Sequence, residues 1–250
     1  MAAEWAGFES VCMVERDEYC QKVLAKNFEG VKIHDDVTTF NGLEYRGTID
    51  LVSAGFPCQP HSLCGSRKAS GDERDLWHEV VRILRETEPQ WFLGENVPGL
   101  FTSERGQFFG RIINDLESLG FSVGWGCYGA KDVGAVHKRD RVFIVAYSNC
   151  KPRLQSSSTS IPIRSKRYSR EDVSGRCWQP VRGGDWREWG IRAAIPQSRI
   201  CGDNDGVPYR VDKHRTQRLK ALGNAVVPQQ VFPILEEIAR QIRENGGATP

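Results

Sequence analysis

A short apolar segment that leads into a rigid loop constrains the fold of this chain more than any other feature. The run from Ile49 to Ala54, with Asp50 and Gly55 near its ends, predicts a buried strand of an α/β sheet. In the loop that follows, Cys58 comes directly after Pro57, and proline stiffens the backbone there. Ligands of open α/β sheets collect beyond the carboxyl ends of strands. Cys58 is therefore either a nucleophile or a buried structural thiol, and the loop alone favours neither.

Predicted strands and helices alternate along most of the chain. Apolar runs predict strands at 11–14, 31–33, 91–97, 121–128 and 141–147. Helical spacing of apolar residues predicts helices at 17–28, 76–84, 103–119 and from 228 onward, with Asp17 and Ser103 as candidate N-caps. Strands 121–128 and 141–147 follow each other without room for a helix. This order predicts an α/β fold with a mostly parallel sheet, helices on both faces and a closing β pair.

The composition is that of an ordinary globular protein with reduced thiols. Hydrophobic residues make up 39% of the 250-residue chain and charged residues 26%. No apolar run approaches the ~20 residues of a membrane span, and the N-terminal sequence lacks a signal-peptide pattern. The eight cysteines form no CxxC pair, which argues against a zinc ribbon and a disulfide framework. We therefore expect a cytoplasmic protein without a membrane partner and without a bound metal.

The segment from 151 to 200 differs from the rest of the chain in charge and in pattern. It contains eleven Lys and Arg against four Asp and Glu, a net charge of +7 in a chain whose total is +2. Three tryptophans, Trp178, Trp186 and Trp189, are interspersed with arginines, and no helical or strand period is visible. The segment is either a solvated, disordered insertion or a small module that contacts nucleic acid, and the arginine–tryptophan mixture favours the second.

Polar residues follow several predicted strands on one side of the sheet. Glu15 and Glu95, like Cys58, come at strand ends, and a carboxyl near a thiol suits acid–base chemistry, although a loop acid with satisfied hydrogen bonds is the alternative. Arg139 and Arg141 alternate as the chain enters a strand, so both are expected to point to one face. Two guanidinium groups there could bind a planar acceptor or a phosphate, or could simply be solvated.

Four motifs in this order resemble one family, the DNA (cytosine-5)-methyltransferases, and especially their short phage and bacterial members. The motifs are GFPCQPHS at 55–62, GENV at 94–97, HKRDR at 137–141 and RLKALGNAVVP at 218–228. The resemblance covers nearly the whole chain apart from the basic segment. It implies a Rossmann-like S-adenosylmethionine-dependent methyltransferase fold with a mostly parallel sheet, plus a small irregular target-recognition region.

The resemblance implies a catalytic role for residues in the first three motifs. Cys58 would add to C6 of cytosine, and the resulting enamine would take the methyl group from S-adenosylmethionine at C5. Glu95 would hold or protonate the ring N3, and Arg141, with Arg139 nearby, would donate to O2. Support would come from the neighbours of these residues, Gln59 and Asn96. Because C5 is inaccessible in a stacked duplex, the target base must flip out of the helix.

The resemblance also implies which residues bind the cofactor. Glu15 would bind the ribose hydroxyls and Asp36 the adenine amino group, while Pro57 and Asn224 would complete the site. The chain departs from the family pattern in two places. His137 stands where the family has Gln, and the family's first strand and Gly-rich turn would precede Met1. Two explanations remain open: either the true start lies upstream of Met1, or the chain is a truncated gene product, which is then expected to bind cofactor poorly.

The expected organisation is a truncated catalytic domain at 1–148, a target-recognition region at 149–210 and a segment at 211–250 that returns to the catalytic domain. Double-stranded DNA is the expected partner of a monomer, and a cognate restriction endonuclease is a further candidate. The setting would be a bacterial cell or a phage-infected host. Two alternatives remain open: a catalytically silent DNA-binding remnant of such an enzyme, and a thiol-dependent enzyme that modifies free pyrimidine nucleotides.

Overall fold

The computed structural model describes residues 1–57, 76–135, 137–148 and 215–245. Cys58, Gln59 and the region 149–210, to which the sequence assigned functions, lie outside the described residues. The strands are β1 Cys12–Val14, β2 Lys32–His34, β3 Leu51–Gly55, β4 Trp91–Asn96, β5 Phe121–Tyr128 and β6 Arg141–Ser148. The helices are α1 Ala2–Trp5, α2 Glu18–Asn27, α3 Trp77–Thr87, α4 Gln107–Ser118, α5 Arg215–Asn224 and α6 Pro228–Asn245. Short 3-10 turns lie at Gly42–Tyr45, Pro98–Phe101, Ser103–Gly106 and Ala130–Val133.

The described residues fall into two compact units that each draw on distant parts of the chain. The first unit takes its described residues from 1–40, 129–139 and 215–239. The second takes them from 41–128, 140–148 and 240–245. Within the described part of the chain, no helix is long and apolar enough to cross a membrane.

A strand–helix–strand motif forms the sheet of the first unit. β1 and β2 pair in parallel, with Val14 opposite His34, and α2 connects them. Asp17 caps α2 as predicted, because its Oδ1 accepts hydrogen bonds from the amides of Tyr19 at 3.0 Å and Cys20 at 3.3 Å. The helix ends near Phe28, which is also where the apolar spacing placed its end.

A four-stranded sheet with the order β3-β4-β6-β5 forms the framework of the second unit. β3 and β4 are parallel, whereas β6 runs antiparallel to both β4 and β5. The predicted closing β pair is therefore confirmed as β5 and β6, and the predicted α/β class is confirmed as well. Three of the four strands run in the same direction, and the strands of the described residues form two sheets rather than one.

Helices α3 and α4 supply most of the hydrophobic core of the second unit. Their apolar faces pack against side chains of β4, β5 and β6 and against Phe56, which follows β3. Trp77 in α3 also donates its indole N–H to Asp115 in α4 at 2.8 Å, so that the polar atom of a buried ring is satisfied. Full burial of each such side chain contributes ~1.5–3 kcal/mol, so this core fixes the positions of the strand ends. Its fully buried members include Phe92, Leu100, Ile112, Leu116, Val142 and Ile144.

Two local predictions are wrong. Ser103 does not cap α4, which begins at Gln107, because Glu104, Arg105 and Gly106 have left-handed backbone angles (φ 49°, 58° and 87°) that an α-helix cannot contain. The strand predicted to be buried, β3, is only partly so: Ser53 is exposed, and its apolar neighbours are half-buried. The reason is that, among the described strands, β3 pairs with β4 alone.

Candidate active site

Glu95 and Arg141 form an ion pair at the sheet edge where β4 ends and β6 begins. The two strands are antiparallel neighbours, which brings the last residues of one beside the first residues of the other. The Nε of Arg141 lies 2.9 Å from Oε1 of Glu95, and the side chains are 13% and 19% exposed, respectively. Nη1 of Arg141 also donates to the carbonyl of Asp140 at 2.8 Å, which orients the guanidinium. The pair is thus well fixed but still open to a ligand.

The carboxylate of Glu95 lies above the end of β3. Gly55 is its register partner on that strand, and a Cβ atom built on Gly55 would lie 3.4 Å from Oε2 of Glu95. Because glycine has no side chain, the carboxylate can approach the backbone from which the loop of Pro57 departs. Pro57 is exposed at the end of the described segment. The structure thus brings the acid and the start of the predicted nucleophile loop to one edge of the sheet.

Asn96 ties the end of β3 to the end of β4. Its side chain is buried, and its Nδ2 donates to the carbonyl of Phe56 at 2.9 Å. Its Oδ1 accepts from the amide of Val97 at 2.8 Å. A buried carboxamide with both ends satisfied holds two backbone segments at a fixed distance. The support role predicted for Asn96 therefore has a concrete geometry, a link to the residue that precedes Pro57.

Arg139 and Arg141 are close in sequence but have different hydrogen-bond partners. It precedes β6 and has a left-handed backbone (φ 35°), so strand alternation does not extend to it and the expected common face is not formed. Its Nη2 donates to the carbonyls of Leu222 at 3.1 Å and Gly223 at 2.7 Å, and also to that of Ala225. Its own carbonyl accepts from Gln230 Nε2 at 2.9 Å. No sequence pattern indicated this contact of Gln230.

The acids predicted to bind the cofactor follow the two parallel strands of the first unit. Glu15 comes directly after β1, and its Oε1 accepts from the amide of Asp17 at 2.8 Å. Asp36 comes two residues after β2, and its Oδ1 accepts from the amide and the hydroxyl of Thr38, both at 2.8 Å. These two hydrogen bonds lower the pKa of Asp36, so its carboxylate stays charged. Parallel strands end at the same edge of a sheet, which groups the two acids.

Helix α5 belongs to the same unit, and an ion pair between Lys220 and Asp17 holds it near Glu15. Lys220 in α5 donates to Oδ2 of Asp17 at 2.8 Å, and this ion pair lowers the pKa of Asp17 and raises that of Lys220. Asn224, the last residue of α5, is exposed. Of the described residues predicted to bind cofactor, Glu15, Asp36 and Asn224 lie in the first unit and Pro57 lies in the second, which also contains Glu95, Asn96 and Arg141. Within the described ranges, no group of three or more His, Cys, Asp or Glu could hold a metal ion.

Comparison with known sequences identifies relatives along most of the chain. The protein-family model described as C-5 cytosine-specific DNA methylase matches residues 1–176. The type II methyltransferase M.BsuFI of Bacillus subtilis is 38% identical over 209 residues, which are 83% of this chain and 48% of the relative. M.BanI of Aneurinibacillus aneurinilyticus is 34% identical over 178 residues, 69% of this chain and 40% of the relative. The chain thus spans about half, or less, of the length of these curated relatives.

Solved structures support the fold assignment. The S. pombe Dnmt2 methyltransferase superimposes with a TM-score of 0.57 at 14% identity and covers 97% of this chain and 94% of its own. A variant of Spodoptera frugiperda DNMT2 gives a TM-score of 0.50 at 20% identity, over 64% of this chain and 49% of the other. These likenesses show the fold and confirm the predicted methyltransferase architecture. With a family model that matches residues 1–176, the chain belongs to the C-5 cytosine-specific DNA methylases, a family that uses S-adenosylmethionine.

Proposed function

We propose that this chain transfers a methyl group from S-adenosylmethionine to C5 of cytosine in duplex DNA. The observation that carries the proposal is the Glu95–Arg141 pair at the end of β4, beside the backbone of Gly55 that leads into the Cys58 loop. A fixed carboxylate next to a cationic donor matches the two edges of a cytosine ring, whose N3 and O2 both gain electron density during nucleophilic attack. The family membership of the chain agrees with this chemistry.

The proposed reaction runs through a covalent bond between Cys58 and the base. The thiolate of Cys58 adds to C6, while Glu95, in its protonated form, donates a hydrogen bond or its proton to N3 and Arg141 donates to O2. The electron pair displaced from the C5–C6 double bond makes C5 nucleophilic. S-adenosylmethionine, when bound, would supply the methyl group that C5 receives, and S-adenosylhomocysteine would be the leaving group. Loss of the C5 proton to a base then restores the double bond and expels the thiolate of Cys58, while a proton held at N3 returns to Glu95.

The geometry of the target requires that the base leave the duplex. C5 and C6 of a stacked cytosine cannot be reached by a side chain, so we propose that the base flips into the site, at a cost of a few kcal/mol. Gln59 and Asn96 would support the loop against this flipped base. The hydrogen bond from Asn96 to the Phe56 carbonyl supports this assignment, because it fixes the backbone just before Pro57.

The acids of the first unit fit the polar groups of the cofactor. Carboxylates at the ends of adjacent parallel strands are the usual acceptors for ribose hydroxyls, which Glu15 would bind. The charged Asp36 would accept from the adenine amino group, and Pro57 and Asn224 would line the remainder of the site. Asp36 uses the same oxygen, Oδ1, for both hydrogen bonds with Thr38, and Glu15 uses Oε1 for the amide of Asp17. Each carboxylate therefore has a second oxygen with acceptor capacity for a ligand.

We further propose that 1–148 and 211–250 form the catalytic part and that 149–210 reads the DNA sequence. The net charge of +7 and the three tryptophans at 151–200 support this division. Replacing 149–210 with the corresponding region of a relative of known target should move methylation to the donor's site, which deep bisulfite sequencing would detect. Methylation that stayed at the original site would assign recognition to the catalytic part instead.

The decisive experiment for the reaction uses the full chain and a duplex that contains 5-fluorocytosine. Fluorine at C5 cannot leave as a proton, so the enzyme should remain covalently attached in the presence of S-adenosylmethionine. Cys58→Ser should abolish the adduct, and Glu95→Gln should slow its formation about 10²–10⁴-fold, the usual contribution of a general acid or base. DNA binding without any adduct would refute the proposed activity and favour a silent DNA-binding protein.

The proposed partners require two separate measurements. We propose that the chain acts as a monomer on DNA, and sedimentation of the protein with a short duplex tests this stoichiometry. A cognate restriction endonuclease would cleave the site that the chain methylates. DNA from cells that express the chain should therefore resist one endonuclease specificity, and unchanged cleavage by all candidates would contradict the partnership.

A further inference from the structure

The guanidinium of Arg139 caps the C-terminal end of helix α5. The last carbonyls of a helix have no partners within the helix, and they carry the negative end of its dipole. Three carbonyls of this turn, those of Leu222, Gly223 and Ala225, lie within hydrogen-bonding reach of Nη2 of Arg139. Nη2 carries only two N–H groups, so this end of the guanidinium has no proton left for a substrate.

The backbone of Arg139, like its side chain, is fixed by a hydrogen bond to a distant part of the chain. A left-handed backbone is unfavourable for a residue other than glycine, and it persists only where surrounding contacts fix it. Gln230, which is 2% exposed, supplies such a contact by donating to the Arg139 carbonyl at 2.9 Å. Arg139 thus links the segment before β6 to both α5 and α6. We call this group of contacts the Arg139 clamp. It consists of the hydrogen bonds of Arg139 with Gln230 and with the carbonyls of residues 222, 223 and 225.

The location of the clamp determines what it can affect. Arg139 lies in the first unit together with Glu15, Asp36 and Asn224, whereas Arg141 lies in the second with Glu95. Asn224 falls between two of the carbonyls that Arg139 binds, so the clamp defines the backbone on both sides of it. Lys220 anchors the same helix to Asp17, so the clamp adds to a contact that already positions α5.

We propose that Arg139 is a positioning residue that fixes the turn around Asn224 for cofactor binding, and not a catalytic residue that contacts the cytosine. The proposal rests on the proposed function, because it takes Asn224 as part of the S-adenosylmethionine site. It assigns the two arginines of one motif to separate tasks: Arg141 orients Glu95 and contacts the base, while Arg139 organises the C-terminal side of the cofactor site.

The test separates cofactor binding from chemistry. In the full chain, Arg139→Ala should raise KM for S-adenosylmethionine about tenfold, the factor that loss of one charge-assisted hydrogen bond commonly brings. Its kcat at saturating cofactor should stay within about twofold of the wild type, since the groups that contact the base are unchanged. Arg139→Lys should recover most of the affinity because an ammonium group can also donate to helix C-terminal carbonyls. Arg141→Lys should show the opposite pattern, with a lower kcat and an unchanged KM.

Hydrogen exchange provides a readout that does not depend on activity. Amides of the peptide 216–227 should exchange faster in Arg139→Ala than in the wild type, and Gln230→Met should give a smaller increase of the same kind. Unchanged exchange in both variants would overturn the clamp, and so would a lower kcat with unchanged KM in Arg139→Ala. If the wild-type chain formed no fluorocytosine adduct, the proposed activity would be refuted, but the positioning role of Arg139 would not. If that chain also failed to bind S-adenosylmethionine, the cofactor role of Arg139 would be wrong as well.

Discussion

The hydrogen bond between Asn96 and the Phe56 carbonyl can be tested by replacing its donor atom with an acceptor. In Asn96→Asp, an oxygen replaces the Nδ2 nitrogen that donates to Phe56 at 2.9 Å. The size and shape of the side chain are retained, and the other oxygen can still accept from the amide of Val97. At neutral pH the new carboxylate would face a carbonyl oxygen at a site where the residue is only 4% exposed. The variant should therefore be destabilised without any loss of packing.

The size of the effect follows from burial and charge. Buried carboxyl groups have pKa values raised by several units, and each unit corresponds to 1.36 kcal/mol. A shift of about two to three units lowers the free energy of unfolding by roughly 3–4 kcal/mol at pH 8, a large part of the 5–15 kcal/mol typical of a folded domain. When protonated, the carboxyl can donate to Phe56 again, so at low pH the loss should fall to about 1 kcal/mol or less.

The pH dependence has a definite sign. The folded-state pKa of the new carboxyl is raised above its unfolded value of about 3.9, so the folded variant binds the proton more tightly between these two values. Its stability relative to the wild type should therefore decrease as the pH rises through that window and level off above the folded-state pKa. Urea unfolding of both proteins between pH 4.5 and 8 measures this difference.

Asn96→Ala is the matched control. It removes this hydrogen bond, and also the one from the Val97 amide, without adding a charge, so its loss of stability relative to the wild type should not change with pH. The fluorocytosine adduct should form more slowly in both variants, because the backbone before Pro57 is no longer fixed. Equal stability of Asn96→Asp and the wild type at pH 8 would show that Asn96 does not donate to Phe56, and the proposed support of the Cys58 loop would be refuted.

Two further contacts give predictions about stability. Burial alone would raise the pKa of Glu86, but hydrogen bonds from Arg82 and from the amide of Gly42 outweigh it and lower the pKa. Glu86→Gln should therefore lower the free energy of unfolding in urea by about 1 kcal/mol at pH 7. This difference from the wild type should disappear as the pH falls through the folded-state pKa of Glu86, which lies below 4.5. A difference that did not change with pH would contradict the contribution of the charge. For Asp17, the helix cap should matter more than the exposed ion pair with Lys220, so Asp17→Ala should lower the thermal midpoint clearly and Asp17→Asn only slightly. If circular dichroism melts showed the same decrease in thermal midpoint for Asp17→Ala and Asp17→Asn, the effect would come from the ion pair.

The local features of this protein could be predicted from the sequence because they depend on neighbours along the chain. Asp17 caps α2 through amides two and three residues away, and that preference is a property of the residue itself. The placement of Glu15 and Glu95 at strand ends followed from apolar runs that stop at a carboxylate. The motif order identified the family, which the family model confirms.

The tertiary structure decided which distant groups meet. Arg139 and Arg141 look equivalent in HKRDR, yet the carbonyls that bind Arg139 lie 83 to 86 residues further along the chain. Nothing local encodes those partners, because a guanidinium accepts any suitably placed carbonyl and its choice depends on where α5 packs. The partial burial of β3 was also missed for this reason, because it depends on which strands pair with β3. Propensity and periodicity describe a segment, whereas strand pairing and long-range hydrogen bonds depend on what the rest of the chain brings beside it.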